Sequence, residues 1–201
     1  MLPRLYAIID ASFFPDTAAL LAFAEELRGA GVALFQYRNK RASTRQMLSQ
    51  ARELRRKVEG ARLIMNDRAD LCLAAGFDGV HVGQEDLSVE GARRVVGDKL
   101  WVGISTHNPE QVRAEASGSA DYAAVGPVFA TSSKANPDPV IGLAGVRVAR
   151  SLTQKPLVAI GGITRENCRS VLEAGADAVA VISDLLDNPR KSAEEFLRRL
   201  G

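Results

Sequence analysis

Cysteine is almost absent from this 201-residue sequence: Cys72 and Cys168 stand far apart, each in a segment that reads as helix. That excludes a disulfide framework and every zinc spacing, and leaves both thiols as small buried apolar groups. Histidine is equally scarce, and His81 and His107 lack close partners, so a transition-metal centre is not expected. Aromatic residues make up 5% of the chain, too few for a platform on which single-stranded nucleic acid could stack. An excess of one charge is missing too. The 26 Lys and Arg face 24 Asp and Glu, and the basic residues are spread along the chain instead of forming a block that could track a phosphate backbone. The longest apolar stretches, such as Leu157 to Ile160 and Ala178 to Ile182, fall far short of the roughly 20 residues a membrane helix needs. No signal-peptide pattern is evident, so the expectation is a cytoplasmic protein without a nucleic-acid or membrane partner.

What the sequence does have is 46% hydrophobic residues in short runs rich in Val, Ile, Leu and Ala. Eight runs read as strands: Leu5 to Ile9, Ala33 to Tyr37, Arg62 to Met65, Gly79 to Val82, Leu100 to Ile104, Asp121 to Val125, Leu157 to Ile160 and Ala178 to Ile182. Between them lie stretches of helical periodicity with charged outer faces, including Thr17 to Arg28, Thr44 to Val58, Val89 to Val96, Gly142 to Leu152 and Arg165 to Ala174, and a last amphipathic helix runs from about Ser192 to Leu200. A strand followed by a helix, eight times over, calls for parallel strands joined by helical crossovers. A weak internal echo agrees with this: a glycine after a helix leads into a strand near Gly29, Ala75, Ser117 and Ala174, as expected where glycine terminates a helix in the left-handed conformation. The expectation is an α/β protein, a single (β/α)8 TIM barrel spanning residues 1–201 as one domain, with short connections. An open doubly wound sheet is the alternative, but Asp10-Ala-Ser-Phe-Phe after the first strand carries no glycine-rich dinucleotide fingerprint.

A barrel of this kind assembles its active site at the carboxyl ends of its strands. Gln36, Arg38 and Lys40 alternate at the end of strand 2, which would aim an amide and two cations into the mouth, although the run reads equally as a solvated strand end. Asn66-Asp67-Arg68 follows strand 3, where Asn66 or Asp67 could also serve as a helix cap. Gly83-Gln84-Glu85-Asp86 follows strand 4, where Asp86 or Ser88 could cap the next helix. Asp67 and Asp86, two carboxylates on adjacent strands beside Arg38 and Lys40, suit a hard divalent cation shared with substrate phosphates. His81 reads equally as a pocket-lining or a satisfied barrel residue, and His107 as part of the loop before the Asn108-Pro109-Glu110 helix start. The long polar connection after strand 6, from Ala130 through Thr131, Ser132, Ser133 and Lys134 to Pro139, reads as a mobile lid. Gly161-Gly162-Ile163 after strand 7 and Ile182-Ser183 after strand 8 suggest a nest of backbone amides for an anion. Two phosphate-handling regions on one mouth suggest two phosphorylated substrates.

Taken in order, Gln36-x-Arg38-x-Lys40, Asn66-Asp67-Arg68, Gly79-x-His81-x-Gly83-Gln84-x-Asp86, Gly103-x-Ser105-Thr106-His107, Gly126-Pro127-Val128-Phe129-x-Thr131-x-Ser133-Lys134, Gly161-Gly162-Ile163 and Val181-Ile182-Ser183 resemble thiamine phosphate synthase over nearly the whole chain. The resemblance implies a transferase that joins hydroxymethylpyrimidine diphosphate to thiazole phosphate, giving thiamine monophosphate and pyrophosphate. It implies Mg²⁺ on Asp67 and Asp86, with Arg38, Lys40, Asn66, Ser105 and Lys134 around the pyrophosphate and Gln36 against the pyrimidine. Thr131, Ser133, Gly162, Ile182 and Ser183 match the positions that hold the thiazole phosphate.

Three departures from that pattern stand out: Ser133 in place of Thr, a lid with Ala130 and Asn136-Pro137-Asp138-Pro139, and Asp184 where a small apolar residue is more usual. Asp184 is expected to face outward as a first-turn residue favoured by the helix dipole. Two rival readings share the barrel. A thiazole tautomerase relative lacks the full pyrophosphate and metal set, and a non-catalytic phosphometabolite sensor needs the amide nest but no carboxylate pair. A homo-oligomer is left open.

Overall fold

The computed structural model describes residues 2–131 and 138–201. Eight parallel strands alternate with eight helices. In chain order these are β1 (Leu5–Asp10), α1 (Thr17–Gly29), β2 (Leu34–Arg38), α2 (Thr44–Lys57), β3 (Arg62–Asn66), α3 (Ala69–Ala75), β4 (Gly79–Val82), α4 (Val89–Val96), β5 (Trp101–Thr106), α5 (Pro109–Ala116), β6 (Tyr122–Val125), α6 (Gly142–Leu152), β7 (Leu157–Ile160), α7 (Cys168–Glu173), β8 (Ala178–Val181) and α8 (Pro189–Leu200). Each strand pairs with its neighbours in sequence, and β1 pairs with β8 to close the barrel.

Strand alternation divides the core into two layers. Leu5, Ala7 and Ile9 of β1 face outward among buried helix residues such as Leu27, Leu54 and Phe196, whereas Tyr6 and Ile8 belong to an interior cluster with Leu34, Ile64, Tyr122, Ala124, Val158, Ala178 and Ala180. The register aligns inward positions around the barrel: Asp10 with Arg38, Asn66 with His81, His81 with Gly103, and Ser105 with Ala124. Polar inward residues thus collect at the carboxyl ends and apolar ones lie beneath them.

The opposite end carries a device repeated every second strand. Asp78, Asp121 and Asp177 each precede an even-numbered strand and accept a backbone N–H from the first or second residue of the preceding one, at Leu63, Val102 and Leu157, at 2.7, 2.7 and 2.8 Å. The same carboxylates pair with Arg55, Arg93 and Arg150 from α2, α4 and α6. This aspartate, more than glycine, underlies the echo in the sequence. Gly31, Gly76 and Gly175 do adopt positive φ, but Gly118 does not.

Element boundaries depart from the sequence expectation at the carboxyl ends of several strands and at two helix starts. Asp10, Arg38, Asn66, Ser105 and Thr106 continue their strands, because the barrel ladder extends past the apolar run. Helix α7 starts at Cys168 instead of Arg165, since the Asn167 side chain accepts the Thr164 N–H and closes a turn first. Helix α8 starts at Pro189 instead of near Ser192, with the proline ring preset for the first helical turn.

Candidate active site at the carboxyl ends of the strands

A cavity of about 770 Å³ opens at the carboxyl ends of the strands. On one side it is lined by Gln36, Arg38, Lys40, Asn66, Asp67, Asp86 and Ser105, and on the other by Thr131, Gly162, Ile182 and Ser183. Every candidate residue within the described part of the chain therefore meets in one mouth. Ser133, Lys134 and most of the expected lid lie outside the described residues.

The charged side begins with Asp67. Neither Asn66 nor Asp67 caps a helix: Arg68 occupies that position without a side-chain cap, and Asp67 takes a left-handed backbone with φ of 62°. Aspartate tolerates this conformation better than most residues, and strain of this kind collects at functional positions. The Asp67 N–H donates to the His81 carbonyl at 2.8 Å, and Lys40 pairs with its carboxylate at 2.9 Å. Burial raises the Asp67 carboxyl above the usual carboxylate range, Lys40 opposes this, and the neighbouring Asp86 carboxylate adds to it. Asp86 is not the α4 cap either. Ser88 accepts the Gly91 N–H and does that work, while Asp86 accepts the Gly83 N–H at 2.8 Å and is held toward the mouth.

Arg38 is anchored by Asp10, a residue the sequence reading passed over. Asp10 is buried and also accepts the N–H and hydroxyl of Ser12 at 2.9 and 2.7 Å. Its signal was a carboxylate ending an otherwise apolar strand. Tyr6 and Tyr122 were missed as well: each puts a hydroxyl at an inward position of a short strand. His81 is both pocket-lining and satisfied. Its ring bridges Tyr122 and Ser105 at 3.0 and 2.8 Å, and burial pushes its pKa down to about 4, against a smaller opposing pull from Asp86. The imidazole is therefore neutral at physiological pH. His107 does sit in the loop before α5, with Nδ1 2.9 Å from the Gly126 carbonyl.

The neutral side rests on consecutive glycines. Gly161 and Gly162 have φ of 100° and 62°, and a Cβ on Gly162 would lie 2.4 Å from the Ala130 carbonyl oxygen. Their carbonyls accept from the Phe129 N–H and the Asn167 amide, both at 3.0 Å. Among the described residues, the N–H groups of Gly162, Ile163 and Ser183 make no hydrogen bond and line the cavity, which leaves three donors for an anion. The outward expectation for Asp184 needs correction. Its carboxylate does not line the cavity, but instead of facing solvent it accepts the Arg165 N–H at 2.8 Å and pairs with the Arg165 guanidinium at 3.0 Å. It ties the β7–α7 loop to the β8–α8 connection.

Fold and mouth together define a (β/α)8-barrel enzyme whose chemistry lies at the carboxyl ends of its strands. The family described as thiamine monophosphate synthase matches residues 5–185, and the chain belongs to it. It is 62% identical to the thiamine-phosphate synthase of Koribacter versatilis, with 99% of this chain and 96% of that protein covered. The thiamine-phosphate synthase of Chloroflexus aurantiacus is 44% identical over 90% of this chain and 83% of its own. The solved thiamine phosphate pyrophosphorylase of Pyrococcus furiosus superposes with a TM-score of 0.87 at 34% identity, covering 98% and 95% of the two chains. A solved 3-hexulose-6-phosphate synthase, 19% identical with a TM-score of 0.72 over 99% and 100%, shares the fold alone. Among the described residues, no helix is long and apolar enough to cross a membrane.

Proposed function

We propose that the chain catalyses the joining of hydroxymethylpyrimidine diphosphate to thiazole phosphate, releasing pyrophosphate and forming thiamine monophosphate. The observation that carries this reading is the pairing of two unlike anion-handling regions across one cavity. One is a carboxylate and cation cluster suited to a diphosphate with a metal, and the other a neutral nest of amides suited to a monophosphate. Between them Ile8, Ala124, Val158 and Ala180 form an apolar floor on which two flat rings can lie. A tautomerase or a sensor has no use for the cluster of Arg38, Lys40, Asp67 and Asp86.

Mg²⁺ fits the charged region. Among the described residues there is no group of three or more metal-ligating side chains, but Asp67 and Asp86 face each other, and Mg²⁺ commonly takes only one or two carboxylates, with substrate phosphates and water completing its shell. When bound on Asp67 and Asp86, the ion supplies positive charge that neutralises the departing pyrophosphate.

In this reading Arg38, Lys40, Asn66 and Ser105 surround the diphosphate, with Arg38 preset by Asp10, and Lys134 adds a cation from the connection after β6. The bond from the pyrimidine methylene carbon to the diphosphate oxygen breaks first, and its electron pair leaves with pyrophosphate. The thiazole nitrogen then donates its lone pair to that carbon. No protein nucleophile takes part. The amides at Gly162, Ile163 and Ser183, with the hydroxyls of Thr131, Ser133 and Ser183, orient the thiazole phosphate so that its nitrogen faces the carbon. Ile182 lines the same side. The reading includes a cytoplasmic setting, supported by the two unpaired buried thiols.

The test is incubation of the purified chain with both substrates and Mg²⁺, followed by mass detection. Thiamine monophosphate should form only when both substrates are present. Its absence would overturn the reading.

A further inference from the structure

Along the wall of the cavity, five side chains from five strands form one unbroken hydrogen-bonded chain. Gln36 Nε2 lies 2.9 Å from the Tyr6 hydroxyl, which lies 3.0 Å from the Tyr122 hydroxyl. Tyr122 Oη lies 3.0 Å from His81 Nδ1, and His81 Nε2 lies 2.8 Å from Ser105 Oγ. Gln36, Tyr6, Tyr122 and His81 are buried, and Gln36, Tyr6, His81 and Ser105 line the cavity, with Tyr122 behind them. Gly103 makes room for the middle of the chain. A Cβ there would lie 2.1 Å from Tyr122 Cζ and 2.6 Å from His81 Nδ1.

We propose that this chain is a polarity relay, in which Tyr6, Tyr122 and His81 act as positioning residues that fix which hydrogen-bonding face Gln36 and Ser105 each present to substrate. Each hydroxyl has one proton, and so does the neutral imidazole. All links must therefore point the same way, because a reversal leaves two protons facing each other or a buried donor without an acceptor. Only two states satisfy the interior. In one, Gln36 donates to Tyr6, Tyr6 to Tyr122, Tyr122 to His81 Nδ1, and His81 Nε2–H to Ser105, whose own proton is then released toward the cavity. In the other every link is reversed, the Gln36 amide is turned over, and Ser105 spends its proton on His81.

Two observations select the first state. The Gln36 amide presents Nε2 to Tyr6. Ser105 also stands on the charged side of the mouth, where a diphosphate oxygen needs a donated proton rather than a lone pair. The consequence at the far end is that Gln36 keeps Oε1 for the substrate, the acceptor that an exocyclic amino group of a pyrimidine requires. The relay thus couples recognition of the ring to recognition of its leaving group. The identity of what meets the two ends, and with it the argument from Ser105, rests on the proposed function, whereas the Gln36 amide orientation that sets the polarity of the interior does not.

Nitrogen NMR of the full chain labelled in histidine tests the polarity directly, because only two histidine rings occur in the sequence. His81 should carry its proton on Nε2 with a bare Nδ1, and a proton on Nδ1 would overturn the relay. Kinetics test the coupling. Tyr6→Phe removes the acceptor that holds the Gln36 amide, and should raise KM for the pyrimidine diphosphate about five- to tenfold while KM for the thiazole phosphate stays unchanged. Equal changes in both constants, or none in either, would overturn it. The tautomer measurement on the unaltered chain stands even if that variant folds poorly. Should the unaltered chain form no thiamine monophosphate, the functional reading falls while the tautomer still decides the polarity.

Discussion

Asp67 is held in a conformation and an environment that folding alone does not favour. Its backbone is left-handed, and its carboxylate faces that of Asp86 in a partly buried position that raises its pKa. Asp67→Asn keeps a side chain suited to positive φ and removes one of two repelling charges. It also loses the contact with Lys40, but that lysine is half exposed, so the loss is small. Stability by denaturant titration should therefore stay level or rise slightly, while turnover falls on the order of 100-fold with loss of metal affinity. A clear loss of stability with activity intact would make Asp67 a structural residue. Its place in the mouth beside Asp86 was legible in the sequence from the paired carboxylates after adjacent strands. Its backbone conformation was not, because the Asp67 N–H reaches the His81 carbonyl on the neighbouring strand, a pairing known only once the register is set.

At the scale of elements, two ion pairs in different settings lead to different expectations. Asp184 bridges the two loops that carry the amide nest through the Arg165 N–H and guanidinium, both side chains being about one-fifth exposed. Asp184→Ala should cost about 2 kcal/mol, more than a first-turn dipole effect of a few tenths to one. It should also raise KM for the thiazole phosphate, as the loops lose their tie. The check is a melting curve with a KM measurement, and an unchanged KM would make the bridge purely structural. Arg93 works at the opposite end of the barrel. It donates to the carbonyls of Gly97, Leu100 and Ser119 and pairs with Asp121. Arg93→Ala should cost about 2 to 3 kcal/mol and lower Tm by several degrees, with kcat and both KM values unchanged. Altered kinetics at permissive temperature would contradict that division of labour. Neither pair could be read from the sequence, since Arg165 and Asp184, or Arg93 and Asp121, meet only once the barrel closes.

For the whole molecule, the alternation of strands and helices was legible because each strand is a short apolar run and most helices have a charged face. The barrel then turns strand order into proximity, so residues spread from Gln36 to Ser183 line one mouth. What stayed hidden was the support around it: Asp10 against Arg38, Tyr122 against His81 and Tyr6 against Gln36. A single polar residue in an apolar strand carries no signal of its partner until the register is known. On the proposed function, this mouth holds two anions at once, in separate regions. Calorimetric titration of the chain with pyrophosphate and Mg²⁺, repeated after saturation with thiazole phosphate, tests it most directly. Each should bind once per chain with the other in place, and Asp67→Asn should abolish only the pyrophosphate step. Mutually exclusive binding of the two would contradict the account.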